Sequence, residues 1–324
     1  MFNLVEKRRY FFLFSGVIIL LGIAVMVYSI LTTPTRSPFR LSVDFVGGSI
    51  YEIQFTEEGA TESGIRDVFA EFGEDNVIIQ QLGAPTDYRW SVRGGFETQE
   101  VTDEILSRLE TLAPLDLTSL RTEQVSPTVG REVSQAAFLA VVIASLIVTG
   151  FIVLAFRQVP NAFRYGVCAI AAMLHDVLVV CGIMSLMGLL FGWEVDALFL
   201  TAVLTVVGYS VQDTIVMFDR IRENIQKHLG EPYETIVNRS IWETIHRSLA
   251  TQLNAFFIMA AILLFGGETI KQFIAILFIG LLSGTYSSIF NAVPLLVAWQ
   301  KGELPLVKGD VVTPVQPQEA RSVS

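Results

Sequence analysis

Charge is scarce in this 324-residue chain: 17% of residues are Asp, Glu, Lys or Arg, where a soluble globular domain carries about a quarter. With 52% hydrophobic residues and a mean hydropathy of +0.54, that scarcity excludes an ordinary soluble globular protein and implies a membrane protein. Positive charge is in deficit, and the net charge of −10 lacks the field that nucleic-acid binding requires, so nucleic acid is not expected as a partner. Cysteine is nearly absent. Cys168 and Cys181 lie in one apolar stretch, about 20 Å apart along a helix, too far for a mutual disulfide. His175, His228 and His246 are scattered without a Cys/His cluster, which excludes a structural zinc. There is no Gly-rich phosphate loop, Gly-x-Ser-x-Gly elbow or His-Glu-x-x-His motif. An enzyme is therefore not expected, and any energy source must be something other than a nucleotide bound by this chain.

Long apolar runs are what the sequence does have. A crossing needs about 20 mostly apolar residues, and six runs qualify: Tyr10–Leu31, Ser134–Phe156, Tyr165–Phe191, Ala197–Phe218, Leu249–Phe265 and Phe273–Trp299. The first follows Lys7, Arg8 and Arg9 as a signal peptide would, but it exceeds the apolar core of such a peptide (about 7 to 15 residues), and no small-x-small cleavage site follows it. It reads as a retained anchor. Orientation follows Lys and Arg in the short loops. Lys7, Arg8, Arg9, Arg157, Arg164, Arg220, Arg222, Lys227, Arg239, Arg247, Lys301, Lys308 and Arg321 fall on one side, and the opposite short loops hold only Lys271. Both termini should be cytoplasmic. The division is then a cytoplasmic 1–9, spans at 10–31, 134–156, 165–191, 197–218, 249–265 and 273–299, an extracytoplasmic domain at 32–133, a cytoplasmic loop with an amphipathic helix at 219–248, and a cytoplasmic tail at 300–324. Within the tail, Val311 to Ser324 has Pro314, Pro317 and no periodicity and reads as disordered.

The outer segment has its own pattern. A strand at Ser49–Phe55 precedes a helix carrying Ile65, Val68, Phe69 and Phe72, then strands at Asn76–Leu82 and Tyr88–Val92, a helix at Glu97–Leu112 and a strand at Leu117–Val125. That βαββαβ order is the α+β ferredoxin-like plan. Pro34, Pro38 and Pro127 punctuate its junctions with the membrane.

Ionisable groups at membrane depth cost about 2.5 to 3.5 kcal/mol each by insertion scales, so each is a functional candidate. Asp213 lies five residues before the cytoplasmic end of the fourth span, with Tyr209 one turn above and Arg220 two turns below. His175 and Asp176 fall mid-way along the third. Ser240, Thr244, Arg247, Thr251 and Asn254 recur at helical spacing, a polar stripe reaching the membrane from the cytoplasm. Blander readings compete: Asp213 snorkelling to Arg220, Arg247 serving only the positive-inside bias, His175 and Asp176 pairing structurally. Paired carboxylates on consecutive spans also admit an intramembrane aspartyl protease, though residues 210–213 read Ser-Val-Gln-Asp rather than Gly-x-Gly-Asp. In the last span Gly280, Gly284, Ser287, Ser288 and Asn291 form a close-approach face.

Gly208-Tyr209-Ser210-Val211-Gln212-Asp213-Thr214-Ile215-Val216-Met217-Phe218-Asp219-Arg220-Ile221-Arg222-Glu223-Asn224 closely resembles the fourth-span signature of the SecF family, the smaller subunit of the bacterial SecDF protein-export factor. Asp44-Phe45-Val46-Gly47-Gly48, Val125-Ser126-Pro127-Thr128-Val129-Gly130, His175-Asp176-Val177 and Tyr286-Ser287-Ser288-Ile289-Phe290 are similar to further family motifs. The resemblance implies a six-helix half of a resistance-nodulation-division bundle, completed by SecD, that uses the proton gradient to promote preprotein export through the Sec translocon (SecY, SecE, SecG), with YajC and YidC as further expected partners besides lipid. It implies no cofactor beyond a coupling ion, H+. It also implies that Asp213 carries the proton, that Arg247 serves proton conduction, and that Asp176, His175, Gln212, Thr244, Thr251 and Asn254 form a supporting polar network. Asp44, Phe45, Gly47, Gly48, Pro127 and Gly130 become hinges bearing the outer domain; their plainer reading is a tight turn. Ser248 and His246 depart from the family pattern, which has Thr and commonly Ser at those positions, and Asn291 replaces the usual small residue. The rival to ion coupling is a non-conducting scaffold for SecD.

Overall fold

The computed structural model describes residues 3–33, 36–74, 77–157 and 162–304. Pro34, Asn76, Lys308, Arg321 and the Val311–Ser324 tail lie outside them. In chain order the elements are helix α1 (Arg8–Thr32), the single turn α2 (Val43–Val46), β1 (Gly48–Gln54), α3 (Glu62–Glu71), β2 (Ile78–Leu82), β3 (Arg89–Gly94), α4 (Gln99–Leu109), β4 (Arg121–Val125), α5 (Pro127–Ala155), α6 (Ala162–Phe191), α7 (Ala197–Lys227), α8 (Tyr233–Phe265), α9 (Glu268–Ser287), a π-helical turn (Ser288–Ala292) and α10 (Val293–Gln300). They form two compact units, one of residues 41–139 and one of residues 1–40 with 140–324.

In the smaller unit an antiparallel four-stranded sheet runs in the order β2-β3-β1-β4, so the first and last strands of the βαββαβ sequence are neighbours. Tyr51 and Ile53 of β1, with Phe55 beyond it, alternate onto one face, as period-2 patterning requires. They pack against Ile65, Val68 and Phe69 of α3 and Ile105 and Leu109 of α4. The last strand is shorter than the Leu117–Val125 expected. Asp116 Oδ1 accepts hydrogen bonds from Thr118 N (2.9 Å) and Thr118 Oγ1 (2.6 Å), and this side-chain turn takes residues 116–119 out of the sheet.

The larger unit contains helices long and apolar enough to cross a membrane, and with α5 there are six such spans among the described residues: Val5–Thr32, Pro127–Ala155, Phe163–Phe191, Ala197–Lys227, Tyr233–Phe265 and Ile270–Gln300. α6, α7 and α9 pack on one another at its centre, with α1 on α6 and α8 on α7 and α9. α1 meets α6 at Gly22 and Gly182, where a Cβ on Gly182 would stand 2.7 Å from Gly22 Cα. Gly280 and Gly284 face Val206 and Ser210 of α7 in the same way, the close approach that small residues permit. The separate cytoplasmic segment expected at 219–248 is instead the ends of two long helices: α7 continues to Lys227 and α8 begins at Tyr233. Ion pairs sustain these polar extensions, with Arg220 donating to Glu243 and Glu223 (both 2.6 Å). Likewise helix α5 begins at Pro127, inside the segment read as outer domain, because Pro is well suited to a first helical turn.

Candidate functional site

Asp213 lies on α7 and is 9% exposed. Its carboxylate accepts one hydrogen bond, from Gln252 Nε2 of α8 at 2.7 Å. No ion pair joins it among the described residues. Arg220 is committed to Glu223 and Glu243, so the snorkelling arrangement is not formed, and Tyr209 turns outward at 42% exposure. Gln212 is also exposed.

The polar stripe of α8 divides. Ser240 and Thr244 are buried: Asn224 Nδ2 donates to Ser240 Oγ (3.0 Å), and Thr244 Oγ1 donates to Ser240 O (2.7 Å) beside Met217 Sδ. Arg247, Thr251 and Asn254 are exposed. Among the described residues the Arg247 side chain has no hydrogen-bond or ion-pair partner, so the expected approach of Arg247 to Asp213 does not occur within this chain. The inward polar row is instead Ser240, Thr244, Ser248 and Gln252, all buried. Four-residue steps advance 400° per step on a 3.6-residue helix, so this row drifts slowly along one face. Sequence reasoning missed Gln252, although that four-residue spacing was visible.

Asp176 on α6 is fully buried and takes four donors. Ser283 Oγ (2.6 Å) and His175 Nδ1 (3.0 Å) donate to Oδ1, and Ser210 Oγ (2.5 Å) and Ser287 Oγ (2.6 Å) donate to Oδ2. The serines come from α7 and α9, so one carboxylate ties three central helices together. Asp176 and Asp213 share no hydrogen bond among the described residues, each having its own partners. That is not the paired arrangement an aspartyl protease uses. Ser283 was overlooked, and Ser210 and Ser287 were noted only within motifs or a packing face.

In the smaller unit the two junction motifs meet. Ser42 Oγ accepts from Asp44 N (3.2 Å) to start α2, and Phe45 is buried with its carbonyl accepting from Ser134 Oγ (3.1 Å). Gly47 has φ +79° and Gly48 φ +127°. A Cβ on Gly47 would stand 2.6 Å from Pro127 Cα, and one on Gly130 2.8 Å from Gly47 N. Glycine is required here for both torsion and space, and the segments 44–48 and 127–130 form one backbone-to-backbone contact rather than two separate hinges.

Residues 105–302 match the family model described as protein export membrane protein SecD/SecF, C-terminal, and residues 35–58 match the SecD/SecF GG motif. The protein translocase subunit SecF of Anaerolinea thermophila is 45% identical over 94% of this chain and 96% of its own length. That of Thermobaculum terrenum is 43% identical, over 93% and 94%. The crystal structure of SecDF, a translocon-associated membrane protein from Thermus thermophilus, superposes with a TM-score of 0.74 at 30% identity over 93% of this chain. This chain spans 39% of that SecDF chain. On the length of the family-model match and the near-complete coverage of these relatives, the chain belongs to the SecF family of protein translocase subunits.

Proposed function

We propose that this multi-pass inner-membrane subunit acts with SecD to couple the proton gradient to preprotein export, and that Asp213 carries the proton. One observation carries the reading: Asp213 sits on a membrane-crossing helix, nine-tenths buried, with a single neutral donor. Its charge is therefore the least compensated of the buried carboxylates, and a group so held gains most from exchanging charge for a proton. One elementary charge crossing about 100 mV releases about 2.3 kcal/mol, enough to bias helix packing. The outward row of Arg247, Thr251 and Asn254 would be costly against lipid. SecD is the surface proposed to cover it and to bring a cation or water to Asp213 from outside this chain. No covalent step is involved, so the subunit is a transport accessory and not an enzyme, with H+ as coupling ion and no cofactor. The translocon (SecY, SecE, SecG), YajC and YidC remain proposed partners on family grounds, and the Lys/Arg distribution supports cytoplasmic termini.

Asp213→Asn separates proton carriage from shape, because the amide keeps volume and hydrogen bonding but cannot be ionised. The variant is expected to insert, reach normal abundance and co-purify with SecD, yet not to support export of a reporter preprotein into inverted vesicles under an imposed proton gradient. A gradient response equal to the parent's would remove Asp213 as the proton site and leave a scaffold for SecD.

A further inference from the structure

Asp176 is saturated and its neighbour is not. Both its oxygens already accept two hydrogen bonds each, from Ser283 and His175 on one and from Ser210 and Ser287 on the other, which uses every acceptor site of an ionised carboxylate. A proton placed on Asp176 would convert an acceptor into a donor, and one of the four present donors would have to turn or move to receive it. Against an ionised Asp176, His175 Nδ1 must carry the hydrogen of their 3.0 Å contact, which leaves Nε2 as a bare acceptor. Nε2 is buried without a hydrogen-bond partner in a residue only 6% exposed. We propose that the His175–Asp176 pair is a second proton-binding site of the bundle, in which His175 Nε2 takes up the proton and Asp176 is the positioning residue that sets its tautomer and balances its charge.

Uptake would convert a lone buried negative charge into an imidazolium–carboxylate pair without breaking any of the four bonds to Asp176. Among the described residues no Lys or Arg pairs with His175 or Asp176. On α1 no charged residue occurs between Arg9 and Arg36, and Ser15 donates to Asn291 Oδ1 of the π turn (2.9 Å). On α7 the titratable groups near Ser210 are Tyr209, which turns outward, and Asp213, three residues on. On α9 it is Tyr286, whose ring centroid lies 6.2 Å from the imidazole and whose hydroxyl donates to Phe11 O (3.2 Å). On α6 itself they are Cys168 and Cys181, with Arg164 and Tyr165 about three turns away at its start. Asn291 Nδ2 is a second buried atom without a partner, in the π turn that follows α9, and such turns recur at functional sites. This site does not depend on Asp213 being the carrier.

The chain has three histidines, so ¹⁵N-histidine labelling of the full chain in proteoliposomes yields few resonances, and His175→Gln identifies the relevant one. The expected result is an Nδ1–H tautomer at high pH that becomes imidazolium as pH falls, equally in the parent and in Asp213→Asn. Asp176→Asn should release the tautomer, giving Nε2–H signal beside Nδ1–H, because the carboxylate that holds Nδ1–H is gone. Should Asp176→Asn not insert, Ser283→Ala, which removes one donor and leaves the carboxylate in place, should keep the Nδ1–H tautomer and the change to imidazolium. An Nε2–H tautomer in the parent, an imidazole unchanged between pH 9 and pH 5, or a response to Na+ at fixed pH would overturn the proposal.

Discussion

Two buried carboxylates, Asp176 on α6 and Asp213 on α7, have opposite settings: Asp176 takes four donors and Asp213 one. The first is an anion held by its helices, and the second is an anion waiting for a partner, which is why the proton is assigned to Asp213 and not to the better-bonded acid. Outside the membrane, Glu97 makes a milder case. Burial, reinforced by the neighbouring Glu74 carboxyl, holds its acid above the ordinary glutamate value of 4.5. Below the unfolded value both states are protonated and nothing is lost. As pH rises through the folded value the native state must ionise against burial, so stability falls. In the fragment of residues 41–134 the melting temperature of Glu97→Gln should therefore exceed the parent's at pH 7 and match it at pH 4. An equal offset at both pH values would assign the effect to something other than ionisation.

At the scale of elements, the contact between Gly47 and the start of α5 is the most exacting feature of the smaller unit. Gly47→Ala must place a Cβ 2.6 Å from Pro127 Cα in a backbone with φ +79°, and strained torsion alone costs about 1 to 3 kcal/mol. The 41–134 fragment should lose at least that much by urea denaturation. A loss below about 0.5 kcal/mol would mean that the two segments separate freely. The six spans were legible because each apolar run is long and uninterrupted. The βαββαβ order was legible because Tyr51, Ile53 and Phe55 alternate while Ile65, Val68 and Phe69 follow helical spacing. Turn chemistry at Asp116 was not read, so β4 was drawn too long. Asp176 and Asp213 stood out because charge is rare in such runs. The direction of Arg247 did not, since spacing defines a stripe but only the packing of α7 and α9 decides which stripe is inward. Ser283 escaped because a lone hydroxyl in an apolar run carries no signal until its acceptor is known, and Gln252 because its four-residue row lies beside the row that holds Arg247, which drew the reading.

For the whole molecule, sidedness is the property still to be measured. Cysteines introduced near residue 90 and near residue 230, in a chain whose own Cys168 is buried and Cys181 half-buried, should react with an impermeant maleimide from opposite sides of the membrane, the first from outside and the second only from within. Reversed labelling would invert the proposed direction of export. Within the larger unit, Arg8 donates to Glu303 from Nη2 (2.5 Å) and Nε (2.9 Å) and to Glu234 from Nη1 (3.1 Å), while Leu4 N donates to Asn238 Oδ1 (3.0 Å). The start of the chain is thus fastened to residues made more than two hundred positions later. A ribosome finishes α1 long before it supplies Glu234, Asn238 or Glu303, so Arg8 gains its first carboxylate partner only when α8 is made and its second only after the last span. A nascent subunit stopped before residue 303 can therefore hold Arg8 by Glu234 alone, and the two ends of the chain are joined only after the last span.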